Sequence, residues 1–233
     1  MLVWSYTFIV FICHYIVSTT LVGLQIRNRI KLTYKFGAWL CKKSLVFLKV
    51  GVTVEGLENI PKESNVIIVC NHQSILDIVI LTALWPNQFA YIVKKELLSV
   101  PLLGASIKRQ GHYWMDRKSP LKAKAQIKKM RENIQKGDSI LFFPEGTRSR
   151  NGKVGPFKKG AFVTAIETKT PLIPCYISGA GKFMKKGEWM ANPVNVTLKI
   201  GPVISVADEK QTSQELTQKA KNTILSFEKE IES

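Results

Sequence analysis

The sequence predicts a single mixed-sheet α/β domain, preceded by an N-terminal helical hairpin that associates with a membrane. Strand-like apolar runs alternate with helical stretches from about residue 51 onward, and no internal repeat or low-complexity linker interrupts them. The first 26 residues contain no charged side chain, and a segment that mixes aromatic residues with lysines follows them. We therefore divide the chain into membrane-anchoring helices at 1–50 and the α/β domain at 51–233.

The N-terminal segment is typical of membrane sequence. Residues 1–17 are almost wholly apolar, and no Lys or Arg precedes them, which argues against a cleaved signal peptide. Residues 36–50 place Trp39 and Phe47 among lysines, as an interfacial amphipathic helix would. Either both helices lie in one leaflet or the first one spans the bilayer. In the second case the basic residues after position 26 place the rest of the chain in the cytoplasm, so we expect a cell-membrane protein whose α/β domain faces the cytoplasm.

The charge balance points to polyanionic surroundings. Among 233 residues, 34 Lys and Arg oppose 17 Asp and Glu, for a formal net charge of +17. Nucleic acid, an anionic membrane and phosphorylated substrates would all suit this charge. The basic residues are spread along the chain rather than concentrated with base-stacking aromatics, so we expect no nucleic-acid partner. A non-catalytic membrane or nucleic-acid binder remains the rival class.

Cysteine and histidine usage indicates no metal site. The four cysteines are scattered without a CxxC pair, and the chain has three histidines. Free thiols in a reducing compartment are the expectation, with no metal ion and no cofactor.

The predicted elements follow from periodicity and from helix start and stop signals. Four helices are predicted, at 74–84, 120–136, 158–168 and a C-terminal amphipathic stretch. The helix at 120–136 is strongly basic, which fits a solvated face or a docking surface for an acidic carrier protein or anionic lipid. Strands are predicted at 52–55, 66–70, 89–93, 139–143, 172–178 and 194–200.

His72 and Asp77 lie five positions apart in the predicted turn between the strand at 66–70 and the helix at 74–84. An imidazole steered by a carboxylate can act as a general base. The alternative is a helix capping box, in which Ser74 and Asp77 satisfy only free backbone amides.

A second group of polar residues, 145–148, directly follows the strand at 139–143. Arg148 offers a planar fork of donors, Gly146 and Thr147 offer further donors, and Glu145 can accept from substrate hydroxyls or hold an arginine. This arrangement suits a phosphate or a polyol. The alternative is a surface turn with a local ion pair.

Two further segments are candidates. A short apolar strand ends at Asp116-Arg117, where Arg117 is either a second anion clamp or the partner of Asp116 in a surface pair. Residues 171–179 resemble a buried strand, and Pro171 and Pro174 within them suggest an edge or bulged strand near a ligand wall.

These four segments, in this order and behind an apolar leader, resemble the glycerolipid acyltransferase family, and specifically the lysophosphatidic acid acyltransferases (1-acyl-sn-glycerol-3-phosphate O-acyltransferases). Asn71-His72 with Asp77 matches the family's NHxxxxD block, and residues 111–117 match the second block. Residues 143–149 match the third block, and 172–174 match the proline-containing fourth. The resemblance covers roughly residues 30–205.

The resemblance implies an acyltransferase domain that transfers an acyl group from a thioester to the sn-2 hydroxyl of lysophosphatidic acid, giving phosphatidic acid in phospholipid biosynthesis. Glycerol 3-phosphate or another lysophospholipid is the alternative acceptor. The implied partners are lysophosphatidic acid, an acyl-CoA or acyl carrier protein thioester, and membrane lipids. It implies catalytic roles for His72 and Asp77, and substrate contacts by Asn71, Arg117, Glu145, Gly146, Thr147, Arg148 and Pro174.

A serine hydrolase that uses Ser74 with His72 and Asp77 is a weaker alternative. The G-x-S-x-G turn of such enzymes is absent from the sequence, and Ser74 lies where a helix cap is expected.

Overall fold

The computed structural model describes residues 10, 12–17, 19–20, 29–62, 64–116, 119–184, 191–208 and 210–232. One seven-stranded sheet has the order β1-β7-β6-β2-β5-β3-β4. Its strands are β1 (Val50–Glu55), β2 (Ile67–Cys70), β3 (Phe89–Lys94), β4 (Tyr113–Met115), β5 (Ser139–Phe142), β6 (Leu172–Ser178) and β7 (Val194–Ile200). The helices are α1 (Arg29–Phe47), α2 (Leu76–Leu84), α3 (Leu103–Arg109), α4 (Pro120–Gln135), α5 (Gly160–Thr168) and α6 (Ser213–Glu232).

The sheet is mixed, as predicted. The pairs β6–β2, β2–β5, β5–β3 and β3–β4 are parallel, whereas β7 runs antiparallel to β6 and parallel to β1. The parallel strands therefore end at a common carboxyl edge, where α/β proteins commonly place their ligands.

Helices cover both faces of the sheet, which is why β2 is apolar at every position and buried throughout. Ile68 and Cys70 pack in one cluster with residues of α1 and α2. Ile67 and Val69 point the other way, into a cluster with residues of α4, α5 and α6. Burying each such side chain stabilises the fold by about 1.5–3 kcal/mol.

Helix α1 belongs to the core of the domain. Tyr34 and Leu45 share a hydrophobic cluster with Ile68 of the central strand and with Leu76 and Ile80 of α2. The boundary predicted near residue 50 therefore does not separate two independent hydrophobic cores.

Much of the predicted N-terminal hairpin lies outside the described residues, namely 1–9, 11, 18 and 21–28. Within the described ranges, no helix combines the length and the apolarity that a bilayer crossing requires. Residues 12–17 are helical, and the Oγ of Ser106 in α3 lies 3.1 Å from the His14 Nδ1. Membrane association of this region stays a prediction.

Strand β6 corrects one prediction. Pro171 and Pro174 suggested an edge or bulged strand, and the edge alternative is wrong, because β6 lies inside the sheet between β7 and β2. A bulge is present on the neighbouring segment, which follows β7: between the pairs Cys175–Ile200 and Leu172–Ile204, residues 201–203 face only 173–174. Pro174 has no N–H that needs an acceptor there, and its carbonyl accepts from the Gly201 amide at 2.8 Å.

Candidate active site

The predicted site residues on β2 and β5 meet at the carboxyl edge of the sheet, because these two strands are parallel neighbours. His72 follows β2 by two residues, and the turn that contains Glu145 and Arg148 follows β5. The amide of Ser149 donates to the His72 carbonyl at 2.7 Å, which fastens the second segment to the first.

His72 and Asp77 form the predicted pair. The His72 Nδ1 lies 2.8 Å from the Asp77 Oδ2, and Asp77 is fully buried in the first turn of α2. The same oxygen accepts from the amides of Gln73 at 2.7 Å and Ser74 at 2.8 Å. The Asp77 carboxylate therefore fits both hypotheses. It accepts hydrogen bonds from free backbone amides at the start of the helix, as a capping residue does, and it also orients the imidazole.

The imidazole is held but still accessible. Its ring stacks on Phe143 with centroids 4.0 Å apart, and 17% of the side chain is exposed. Because the Nδ1–H donates its hydrogen bond to the carboxylate, the tautomer of His72 leaves Nε2 with a lone pair. In the described part of the chain Nε2 has no hydrogen-bond partner. A base of this kind can take a proton from an incoming hydroxyl.

The resemblance implied that Asn71 contacts the substrate, but in the structure both polar atoms of its side-chain amide form hydrogen bonds within the fold. Its Nδ2 donates to the Ile177 carbonyl at 2.9 Å, and its Oδ1 accepts from the Ile177 amide at 2.7 Å. The residue is 1% exposed. Asn71 therefore ties the end of β2 to β6 and acts as a positioning residue.

Glu145 is a positioning residue as well. We expected it to accept from substrate hydroxyls or to hold an arginine, but its Oε1 accepts from the His72 amide at 2.9 Å and its Oε2 from the Gly155 amide at 3.0 Å. Burial raises the pKa of this carboxyl, while the two amide hydrogen bonds oppose the shift. Together with Ser149, Glu145 fixes the His72 backbone on both its N–H and its carbonyl side.

Thr147 and Arg148 of this turn face solvent, and Gly146 is half-buried. Gly146 has a φ of 69°, a left-handed conformation that favours glycine. Thr147 and Arg148 are exposed, and within the described ranges Arg148 forms no ion pair. The turn, which is fastened to the His72 backbone through Ser149, therefore presents an exposed guanidinium.

Arg117 lies outside the described residues. Its neighbour Asp116 pairs with Lys95 at 2.8 Å, and this hydrogen bond raises the pKa of the lysine. The parallel pairing of β3 with β4, in which Lys94 lies opposite Met115, brings Lys95 to Asp116. Pro174 is buried within β6, so its assignment as a substrate contact stays a prediction.

Sequence reasoning missed two residues that fasten the loop 149–155. The Gln73 Nε2 donates to the Gly152 carbonyl at 3.0 Å, and the Glu228 Oε1 accepts from the Val154 amide at 3.0 Å. Both contacts join segments far apart in the chain through backbone groups, so no local pattern marks them. Among the described residues, no group of His, Cys, Asp and Glu is arranged to hold a metal ion.

Comparison with known proteins identifies the family. The family model described as Acyltransferase matches residues 51–178. A chloroplast 1-acyl-sn-glycerol-3-phosphate acyltransferase of Brassica napus is 39% identical over 135 residues, which cover 58% of this chain and 39% of the relative. The 1-acyl-sn-glycerol-3-phosphate acyltransferase of Limnanthes douglasii is 30% identical over 214 residues, covering 86% of this chain and 74% of the relative.

A solved structure matches almost the whole chain. The crystal structure of the 1-acyl-sn-glycerophosphate (LPA) acyltransferase PlsC from Thermotoga maritima superposes with a TM-score of 0.80 at 28% identity, covering 97% of this chain and 96% of that one. The chain spans about two fifths of the length of the Brassica napus and Arabidopsis thaliana relatives, at 39% and 41%. From the family match over residues 51–178 and the 30% identity across most of its length, this chain belongs to the acyltransferase family.

Proposed function

We propose that the protein is a 1-acyl-sn-glycerol-3-phosphate O-acyltransferase, which transfers an acyl group from a thioester to the sn-2 hydroxyl of lysophosphatidic acid. The observation that carries the proposal is the His72–Asp77 pair at 2.8 Å, with Nε2 unengaged and the exposed Arg148 on the adjoining turn. Three similar proteins support this choice of acceptor, because each is named as an acyltransferase that acts on it: the relatives from Brassica napus and Limnanthes douglasii and the Thermotoga maritima structure.

In the proposed reaction the His72 Nε2 takes the proton from the sn-2 hydroxyl as that oxygen attacks the thioester carbonyl. The new C–O bond forms, the C–S bond breaks, and the thiolate leaves with the electron pair of that bond. The proton passes from His72 to the thiolate or to solvent, which restores the base. Asp77 keeps the imidazole in the reactive tautomer and stabilises the imidazolium that forms, and no acyl-enzyme is required.

The acceptor phosphate would lie against Arg148. A guanidinium donates two parallel hydrogen bonds to phosphate oxygens, and an arginine without a carboxylate partner is ready to do so. Glycerol 3-phosphate and other lysophospholipids carry the same group, so they are the alternative acceptors.

The proposed setting is a membrane surface on its cytoplasmic side. The exposed face of α1 carries Leu32, Trp39, Val46 and Phe47 beside lysines, a composition suited to the interface of an anionic leaflet. Acyl-CoA and acyl carrier protein are both candidate donors, and each is a substrate rather than a cofactor.

The test is acyl transfer by the purified protein. Labelled acyl-CoA and acyl-loaded carrier protein are each supplied with lysophosphatidic acid, glycerol 3-phosphate or other lysophospholipids, and the labelled product is identified. We expect phosphatidic acid to form fastest. Preference for another acceptor would overturn the assignment, and absence of transfer from both donors would overturn the activity.

The His72→Ala variant tests the base. Loss of a general base lowers turnover by about 10² to 10⁴. The Asp77 carboxylate keeps its hydrogen bonds from the Gln73 and Ser74 amides in the variant, so we expect the melting temperature to change little. Turnover close to that of the wild type would remove His72 from the mechanism.

A further inference from the structure

We propose that Lys158, which the sequence motifs do not include, binds the phosphate of the acceptor together with Arg148. The inference rests on the proposed function and names a further cation for the same site.

The position of Lys158 is fixed by the turn that follows β5. Its amide donates to the Pro144 carbonyl at 2.8 Å, two residues before α5 begins. Its side chain then lies across Gly146: a Cβ built on that glycine would lie 2.7 Å from the Lys158 Nζ and 3.1 Å from its Cε. Gly146 therefore serves two needs, the left-handed φ of 69° and room for the lysine.

The charge of the Lys158 ammonium is not neutralised by any carboxylate of the described residues. Lys158 is exposed, and within the described ranges no carboxylate lies within ion-pair distance of it. Glu145 is only one residue away from Gly146, but both of its carboxylate oxygens accept hydrogen bonds from the amides of His72 and Gly155. Arg148 also lacks an ion pair in the described part of the chain, so one turn presents two uncompensated cations.

Two uncompensated cations at a turn that is fastened to the backbone of the general base match a phosphate. An ammonium on a flexible stem supplies charge and rotatable donors, while the guanidinium supplies a fixed fork, and phosphate sites commonly combine the two. The turn that holds the Lys158 backbone through Pro144 also holds His72 through Glu145. The reacting hydroxyl and the bound phosphate must consequently lie close together.

That requirement distinguishes the two possible sources of phosphate. In lysophosphatidic acid the phosphate is attached to the carbon next to the one that bears the reacting hydroxyl. In acyl-CoA the whole pantetheine arm separates the thioester from the nearest phosphate. We therefore assign Lys158 to the acceptor and not to the donor.

The experiment measures steady-state kinetics of Lys158→Gln, with Lys159→Gln as the matched control on the next residue, which is also exposed. Loss of one charged hydrogen bond should raise the KM for lysophosphatidic acid about tenfold, with the KM for acyl-CoA unchanged. Lys158→Arg, which keeps the charge, should recover most of the loss. Preference for lysophosphatidic acid over monoacylglycerol, which lacks the phosphate, should shrink by a similar factor in Lys158→Gln.

An unchanged KM for lysophosphatidic acid in Lys158→Gln, or a rise confined to acyl-CoA, overturns the inference. Should this variant fold poorly, amine-reactive labelling of the wild-type protein decides instead. Lysophosphatidic acid must protect Lys158 and leave Lys159 reactive, and equal labelling of Lys158 with and without it overturns the inference. A wild-type enzyme that is active while Lys158→Gln is unaffected refutes this inference alone, whereas an inactive wild type refutes the proposed function.

Discussion

His112 is buried in the fold, whereas the imidazole of His72 is accessible at the site. The His112 ring stacks on Tyr91 with centroids 3.7 Å apart, and its Nε2 lies 3.3 Å from the Gln110 Oε1. It is 4% exposed, and burial lowers its pKa from 6.5 to about 3, with a smaller contribution from the charge of His14. His112 therefore stays neutral in the folded protein at pH values where it is protonated in the unfolded chain.

The difference between the pKa of His112 in the folded protein and in the unfolded chain makes folding stability depend on pH. Because the folded pKa of His112 is lowered to about 3, the unfolded chain binds the extra proton between roughly pH 6.5 and 3, and the free energy of unfolding falls as the pH falls. The slope from one such group is about 1.4 kcal/mol per pH unit. His112→Phe keeps an aromatic ring beside Tyr91 and removes the titration, so its stability should fall less steeply.

Urea unfolding of both proteins at pH 7.0, 5.5 and 4.5 measures these slopes. The stability difference between wild type and His112→Phe should shift in favour of the variant as the medium becomes more acidic. Parallel pH profiles for the two proteins would show that His112 titrates alike in the folded and unfolded states.

At the level of elements, helix α6 fastens the loop beside the site. Its start is fixed by a capping box, in which the Glu215 Oε2 accepts from the Thr212 amide at 2.8 Å and the Thr212 Oγ1 accepts from the Glu215 amide at 3.2 Å. Ile224 then packs fully buried in the cluster on that face of the sheet. One turn later Glu228, 8% exposed, accepts from the Val154 amide at 3.0 Å. The helix thereby restrains the segment that Glu145 holds from the other side.

Glu228→Ala should loosen the loop 149–155. Loss of the acceptor of a part-buried amide costs about 0.5–1.5 kcal/mol, and we expect turnover to fall several-fold because Gly155 and Glu145 are linked to the same loop. Trypsin should cleave faster after Arg150 and Lys153. Glu230→Ala is the control, since Glu230 pairs with Lys199 at 2.7 Å on the surface and is 56% exposed. If both substitutions change the cleavage rate equally, the contact between Glu228 and the Val154 amide does not restrain the loop.

Elements with a strong local pattern could be predicted from the sequence, and others could not. The predicted strands at 172–178 and 194–200 match β6 and β7 at both ends, because apolar periodicity and turn residues bound them. Helix α3 was missed, since it starts after Leu102 at a φ of 65° and has no side-chain cap. No local preference of leucine indicates that conformation.

The same distinction holds at the site. The proximity of His72 and Asp77 follows from five-residue spacing across one turn, so the sequence could indicate it. The positioning roles of Asn71 and Glu145 depend on backbone amides of residues 106 and 73 positions away. Backbone amides carry no sequence signature, and the resemblance therefore suggested substrate contacts for side chains that the fold itself consumes.

On the scale of the whole molecule, the net charge of +17 and the exposed face of α1 act in the same direction. Trp39 is 51% exposed, Val46 77% and Phe47 48%, on a helix whose opposite face is packed in the core. Lys43 lies 5.9 Å from the Trp39 ring centroid. Apolar insertion and attraction of basic residues to anionic lipid reinforce each other on such a helix.

We therefore expect the protein to co-sediment with vesicles that contain anionic phospholipid and to bind purely zwitterionic vesicles more weakly. Binding should fall as salt rises, because screening shortens the reach of the basic surface to about 10 Å at 0.1 M. Trp39→Ala should weaken vesicle binding by roughly tenfold, as loss of a large inserted side chain would. Leu121→Ala removes an apolar side chain that is 83% exposed on α4 and should leave vesicle binding unchanged. If both substitutions weaken binding equally, general surface apolarity rather than α1 directs the protein to lipid, and an acceptor delivered from the bilayer would have to approach the imidazole by a route that does not involve this helix.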